Sequence, residues 1–216
     1  MGQSITNMEG FELGEPVLIC RWRLSNRKLP LENRHMRALV ARTVNGMQVP
    51  VELMAWAKQH IEWTLEQGSA DNPNGTLMLI VDDQGRAAMT VGPYVPLEDV
   101  SLSGLVRRAD RAQVEAAKTG VAPETLWVVM GNELAWDPGE GCTPSGSASL
   151  VLHLAQTLGI DVRAWSGLSD AVATQAIDFD EAFLVSDEHG IVPASDADGA
   201  NGRRLALGYQ RLLGRR

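Results

Sequence analysis

Short β-rich runs alternate with amphipathic helical stretches along all 216 residues. That alternation restricts the chain to a mixed α and β class and leaves out helix bundles and pure sandwiches. No segment repeats at a fixed spacing, so a solenoid is also left out. The run PVLICRWRL at 16–24 reads as a first strand. Leu31, Met36, Leu39, Val40 and Val44 then recur at helical spacing and predict a helix from Leu31 to Asn45, closed by Gly46. Pro50 opens a second helix that runs to Gly68, with Leu53, Met54, Trp56, Ile61 and Leu65 as its apolar stripe. Trp56 and Trp63, seven positions apart on it, read as core. Residues 76–91 predict a hairpin around Asp82-Asp83-Gln84-Gly85.

Pro93 and Pro96 break the pattern and place a crossing between two domains. The expectation is a small N-terminal α/β domain over 1–95, a linker at 96–104 and a C-terminal domain over 105–216. In the latter, a helix covers Leu105–Thr119 with Gly120 as its stop. TLWVVMGNELAW predicts a hairpin turning at Met130-Gly131-Asn132. The loop DPGEGCTPSGS leads into a helix from Ala148, with Leu150, Val151, Leu154 and Leu158 at helical spacing. IDVRAW is a strand, and GLSDAVATQAIDF a helix with Ser169 or Asp170 as N-cap. EAFLVS and GIVPA are strands around Asp187-Glu188-His189-Gly190, and RRLALGYQRLL is the last helix.

Charge excludes one function class. The formal charge is −8 with a pI near 5.0, and only three lysines occur, Lys28, Lys58 and Lys118. Phosphate neutralisation along a nucleic acid needs a concentrated basic surface, so no nucleic-acid partner is expected. Cys20 and Cys142 form no CxxC pair and read as isolated reduced thiols. No basic, apolar leader opens the chain, and no apolar run approaches the ~18 residues of a membrane span. A cytoplasmic protein with no membrane partner is the expectation. Met1-Gly2-Gln3-Ser4-Ile5-Thr6 fits the loose myristoylation pattern, which is short and common by chance.

Other chemistries lack their signatures. GxSxG, GxGxxG and the P-loop are absent. His35, His60, His153 and His189 are scattered, with no HExxH to support a metal. Asp196, Asp198 and Asn201, with Gly199 and Gly202, hint at a calcium loop whose spacing misses the EF-hand.

A run of short motifs in register spans Gly141 to Leu213. It begins with Gly141-Cys142-Thr143-Pro144-Ser145-Gly146-Ser147 before a helix, followed by LVLHLAQTLGIDV. Asp180-Glu181-Ala182-Phe183-Leu184, Gly190-Ile191-Val192-Pro193-Ala194, Asp198-Gly199 and a terminal helix with Tyr209 complete it. This order resembles the C-terminal domain of the class IV aminotransferases, the fold-type IV pyridoxal phosphate (PLP) enzymes. They include branched-chain and D-amino-acid aminotransferases and aminodeoxychorismate lyase. Arg34-His35-Met36-Arg37-Ala38-Leu39 is loosely similar to an N-terminal helix of that family, and Gly10-Phe11-Glu12 to a fragment of its opening strand. The resemblance implies an α+β (mixed) fold of two domains, shortened relative to the family.

It also implies a site with PLP as cofactor. Such a site needs a lysine to condense with the cofactor aldehyde and a carboxylate to keep the pyridine nitrogen protonated. It needs free N–H groups at a helix start, with an arginine and a threonine, to hold the phosphate. Carried onto this sequence, Ser145-Gly146-Ser147 is the phosphate turn, Ser147 supplies the threonine-like hydroxyl, and Arg37 is the phosphate arginine. A plain serine N-cap accounts for the turn equally well. Asp187 stands where a phosphate-binding threonine is usual, which is repulsive toward a dianion; Ser186, one residue earlier, is the substitute. Glu124, Glu133 and Asp137 are the candidates for the pyridine carboxylate. The lysine position falls near Leu102, where no lysine stands. A second frame would use Lys118-Thr119 at too short a distance from Ser145. Lys28 and Lys58 lie away from the expected position, so no catalytic residue is assigned.

Two function classes follow. One is a PLP-dependent aminotransferase or lyase acting on an amino or keto acid. The other is a PLP-free protein that keeps the fold to bind a small amino or carboxylate metabolite, or to serve a biosynthetic partner enzyme. The resemblance implies a homodimer in either case.

Overall fold

The computed structural model describes residues 12–214. The myristoylation pattern at 1–6 and the pair Gly10-Phe11 lie outside the described residues. In chain order the first half contains β1 (Pro16–Arg23), α1 (Glu32–Val40), β2 (Thr43–Val44), β3 (Met47–Gln48), α2 (Val51–Gly68), β4 (Thr76–Asp82) and β5 (Ala87–Gly92). The second half contains α3 (Leu102–Thr119), β6 (Glu124–Met130), β7 (Glu133–Trp136), α4 (Gly146–Leu158), β8 (Asp161–Ala164), α5 (Leu168–Ala173), β9 (Glu181–Ser186), β10 (Gly190–Pro193) and α6 (Ala200–Gly214).

Strand β1 illustrates how the pattern becomes a layer. Leu18, Cys20 and Trp22 alternate inward and pack with Leu77, Leu79 and Val81 of β4 against Met36 and Leu39 of α1 and Ala57 and Ile61 of α2. Ile19, Arg21 and Arg23 occupy the alternate positions and turn away from that core. The sheet order is β1-β4-β5, and both pairings are antiparallel.

The second sheet has the order β10-β9-β6-β7-β8. Its central strands are buried on both sides. Trp127, Val129, Phe183 and Val185 face α4 and α6. Leu126, Val128, Ala182 and Leu184 face α3 and α5. Continuous apolar runs at β6 and β9 are the result. Trp127 stacks on Trp136 at a centroid distance of 4.8 Å and lies nearly parallel to Phe183 at 6.2 Å. Because α4 crosses over between them, β7 and β8 pair in parallel, while the other neighbours are antiparallel.

Several boundaries differ from expectation. The first helix ends at Val40, not Asn45. Asn45 and Gly46 both take positive φ, 53° and 76°, and turn a short hairpin between β2 and β3, the backbone that an Asn-Gly pair favours. Helix α3 begins at Leu102, inside the stretch expected as linker at 96–104. Ser101 caps it by accepting from the Gly104 amide at 3.2 Å, and Asp99 in turn accepts from the Ser101 hydroxyl at 2.6 Å. Helix α5 starts from Gly167 at positive φ, and neither Ser169 nor Asp170 caps it. Trp63 is 49% exposed, so it is not core; it edges onto His60, which stacks on Trp56 at 4.1 Å.

Candidate functional site at the junction of the two sheets

The start of α4 meets α1 and the end of β9. Ser145 has an extended backbone and its hydroxyl accepts from the Ala148 amide at 3.3 Å, an ordinary N-cap. The next free donor, the Ser147 amide, points at Asp187 and donates to Oδ1 at 2.8 Å. The Ser147 hydroxyl lies 3.1 Å from the phenol of Tyr209 on α6. On the other side, Asp187 Oδ2 is 3.6 Å from Nδ1 of His35 on α1, an ion-pair distance with both side chains buried. Burial alone would raise the Asp187 carboxyl. The charge of His35, the Ser147 amide and the charge of Arg42 outweigh it and hold the group below its usual range. Burial pushes the Tyr209 phenol up.

Arg34 reaches the first turn of α4, donating to the Ser149 carbonyl at 3.0 Å and its hydroxyl at 3.1 Å. Thus the α1 segment does meet the serine turn, but through Arg34 and His35. Arg37 lies on the exposed face of α1. Of the sequence candidates, Ser145, Gly146 and Ser147 come together with Asp187. Ser186 is buried and directed to Glu124 instead, donating to Oε1 at 2.9 Å.

Glu124 and Ser186 open onto a cleft formed by the outward face of β1, α3 and the β9–β10 turn. A cavity of about 180 Å³ there is lined by Arg21, Arg108, Arg111, Glu115, Glu124 and Glu188, among others. It adjoins a wider one of about 580 Å³ that shares Arg21, Arg108, Arg111 and Glu188 and adds His189. Arg108 grips Glu124 in a two-point pair, at 2.9 and 2.8 Å. The same guanidinium donates to His189 Nε2 at 3.2 Å, which leaves Nδ1 to carry the proton toward the Tyr94 hydroxyl at 3.3 Å. Burial, reinforced by Arg108, Arg23 and Arg21, pulls the His189 imidazole down to about 4 even though Glu124 opposes it. Arg23 lies flat on the Tyr94 ring, 3.3 Å from its centroid. Burial also raises the carboxyls of Glu188 and Glu115. Among the described residues Arg21 and Arg111 form no ion pair.

The remaining candidates have structural partners. Glu133 pairs with Arg163 at 3.3 Å near the surface. Asp137 accepts from the amides of Gly139 and Gly167, at 2.9 and 2.8 Å, and fastens the loop after β7. Asp196 accepts from the Leu102 amide and Asp198 pairs with Arg203, so both carboxylates of the calcium-like loop have protein partners, while Asn201 donates to Glu181. The sequence pattern singled out His35 and His189 only as scattered histidines without a metal motif, and did not point to Arg21, Arg108, Arg111 or Tyr94. The one readable signal was Arg21-Trp22-Arg23, in which two arginines must share the face of a strand opposite a tryptophan.

A cofactor with an aldehyde and a phosphate asks for two things here, and the residues do not fit it. The phosphate position at the α4 start is filled by the Asp187 carboxylate, which would repel a dianion across a buried contact. All three lysines, Lys28, Lys58 and Lys118, are exposed, and Leu102 stands at the start of α3.

No protein-family model and no curated sequence matches the chain. Solved structures do. A hypothetical aminotransferase from Mycobacterium tuberculosis in its PLP-bound form superposes with a TM-score of 0.65 at 13% identity, over 95% of each chain. The 4-amino-4-deoxychorismate lyase of Pseudomonas aeruginosa gives 0.60 at 14% identity, covering 98% of this chain and 96% of that one. The branched-chain aminotransferase of Thermoproteus uzoniensis, with norvaline, gives 0.52 at 15% identity over 91% and 85%. At such identities the likeness is one of architecture: this chain has the mixed helix-and-sheet fold of the class IV aminotransferases and aminodeoxychorismate lyases.

Proposed function

We propose that this chain is a PLP-free relative of that fold which binds a small amino or carboxylate metabolite in the cleft between β1, α3 and the β9–β10 turn. One observation carries the reading: Arg21 and Arg111 line both cavities of a lysine-free cleft and have no carboxylate partner among the described residues. An unpaired guanidinium offers a planar fork of donors that matches a carboxylate in two-point geometry. Arg108 is already committed to Glu124 and stiffens the wall rather than the ligand contact. Glu188 lines both cavities too and supplies the opposite charge for a ligand amino group.

Calorimetric titration with a panel of amino acids, keto acids and dicarboxylic acids tests the proposal. Saturable binding by the wild type is expected, weakened roughly tenfold or more in Arg111→Ala and in Arg21→Ala, a loss of about 1.4 kcal/mol or greater. Binding that ignores both substitutions, or no binding across the panel, overturns it. So does a one-to-one PLP imine, seen as visible absorbance that bleaches on borohydride reduction, that survives dialysis and is displaced by the panel ligands, since exposed lysines give only weak, non-saturable adducts.

A further inference from the structure

The cleft reading leaves one buried arrangement without a purpose, and that arrangement does not depend on which metabolite the cleft takes. We propose that Asp187 is a built-in replacement for a bound anion at the start of α4: its own carboxylate, not a ligand from solution, completes that site and ties α1 to α4. Helix starts attract anions because their first N–H groups lack partners. Here the Ser147 amide is satisfied by Asp187 at 2.8 Å.

A second, independent observation sits opposite. His35 is only 2% exposed, its Nδ1 has no hydrogen-bond partner among the described residues, and the nitrogen faces Asp187 Oδ2 at 3.6 Å. A buried imidazole nitrogen needs a polar partner, and the Asp187 carboxylate is the group facing it. The approach is so close that a side chain at Gly146 would have to displace His35, because a Cβ there would overlap His35 Nδ1. Asp187 is held in place by its backbone as well. Its amide donates to the Pro123 carbonyl at 3.1 Å, and its carbonyl accepts from the Arg23 amide at 3.2 Å. Asp187 therefore joins the end of β9 to β1 through its backbone and to α1 and α4 through its carboxylate, at the junction where the two sheets meet.

Chemical rescue tests this. Asp187→Gly deletes a CH2–COO⁻ group, and acetate is that group with one added hydrogen. The variant should melt roughly 10 °C lower, the size expected for breaking one buried charged contact in a chain of this length. Acetate should raise its melting temperature well beyond its effect on the wild type, while chloride at equal ionic strength should not. Asp187→Asn, which keeps the volume and loses the charge, should be destabilised yet show no acetate response beyond that of the wild type. An Asp187→Gly protein as stable as the wild type, or an acetate response equal in the two, overturns the proposal. Should Asp187→Gly fail to fold, Asp187→Asn decides: a melting temperature equal to that of the wild type refutes the proposal, and a clear drop supports it.

Discussion

The start of the last helix is fastened to the sheet by a carboxylate, and removing it gives a stringent test of how this fold is closed. Glu181 begins β9, is 7% exposed, and meets the start of α6. Its Oε2 accepts from the Gly202 amide at 2.7 Å, and its Oε1 from the Asn201 amide at 3.0 Å and the Asn201 side chain at 3.2 Å. Glu181→Ala strands two backbone N–H groups at about 1–1.5 kcal/mol each and forfeits the charge at the helix start, about 0.5 kcal/mol more. A total of about 3 kcal/mol corresponds to a fall of roughly 6–12 °C in melting temperature. Gly199 adds a partner to the experiment, because a Cβ on it would overlap the Glu181 carboxyl carbon. Gly199→Ala alone should therefore cost about 2 kcal/mol through overpacking. In the Glu181→Ala background the obstruction is gone, and the same change should cost less than about 0.5 kcal/mol. Urea unfolding of the four proteins gives the coupling directly. Additive costs, or a Glu181→Ala protein within about 0.5 kcal/mol of the wild type, would refute the reasoning.

Two further outcomes are expected. His189 is held at about 4 when folded, against 6.5 ordinarily. Between those values the unfolded chain binds a proton that the folded chain refuses, so stability is full above about pH 6.5 and falls as the pH drops toward 4. The loss should be roughly 1–3 kcal/mol, and the difference in unfolding free energy between wild type and His189→Gln should grow smaller across that window; a constant difference contradicts it. Gly146→Ala should cost about 2–3 kcal/mol by displacing His35, with most of that loss recovered when His35→Ala is combined with it, as read by thermal denaturation.

Much of the fold was legible because its signals are local. Gly120 ends α3 at a positive φ of 80°, where a glycine after a helical pattern is the expected stop. The two-sided burial of β6 and β9 shows as uninterrupted apolar runs. The errors were local too. Asn45-Gly46 served equally as a helix stop or a hairpin turn, and only the pairing of Thr43 with Gln48 distinguishes them. Gly104, in the first turn of α3, hid that helix's start, and its necessity lies in Asp99, whose carboxylate occupies the space of a Cβ. The site was less legible because its parts come from distant segments. Asp187 stood out as a misplaced acid, yet its meaning requires His35, which neighbours it only once α1 has packed on α4. Arg21 and Arg111 are unremarkable alone; a strand and a helix from different halves bring them to one cleft.

The motifs that carry the resemblance turn out to be fastening devices. In Asp180-Glu181, Asp180 accepts from the Gly131 amide at 2.7 Å and closes the β6–β7 turn, while Glu181 holds α6. Gly199 of the Asp-Gly pair exists to admit Glu181, and Gly190, at a positive φ of 72°, lies where a side chain would strike the Tyr209 ring. None of these residues needs a cofactor to be useful, and each would be selected in any protein that must close this sheet with this helix. The amine that aldehyde chemistry needs is not among these fastenings, and Leu102 stands near its expected position in a chain that keeps the fold. Motif similarity over the last third of the chain thus reports on architecture, and the chemistry has to be read from the side chains that line the cleft.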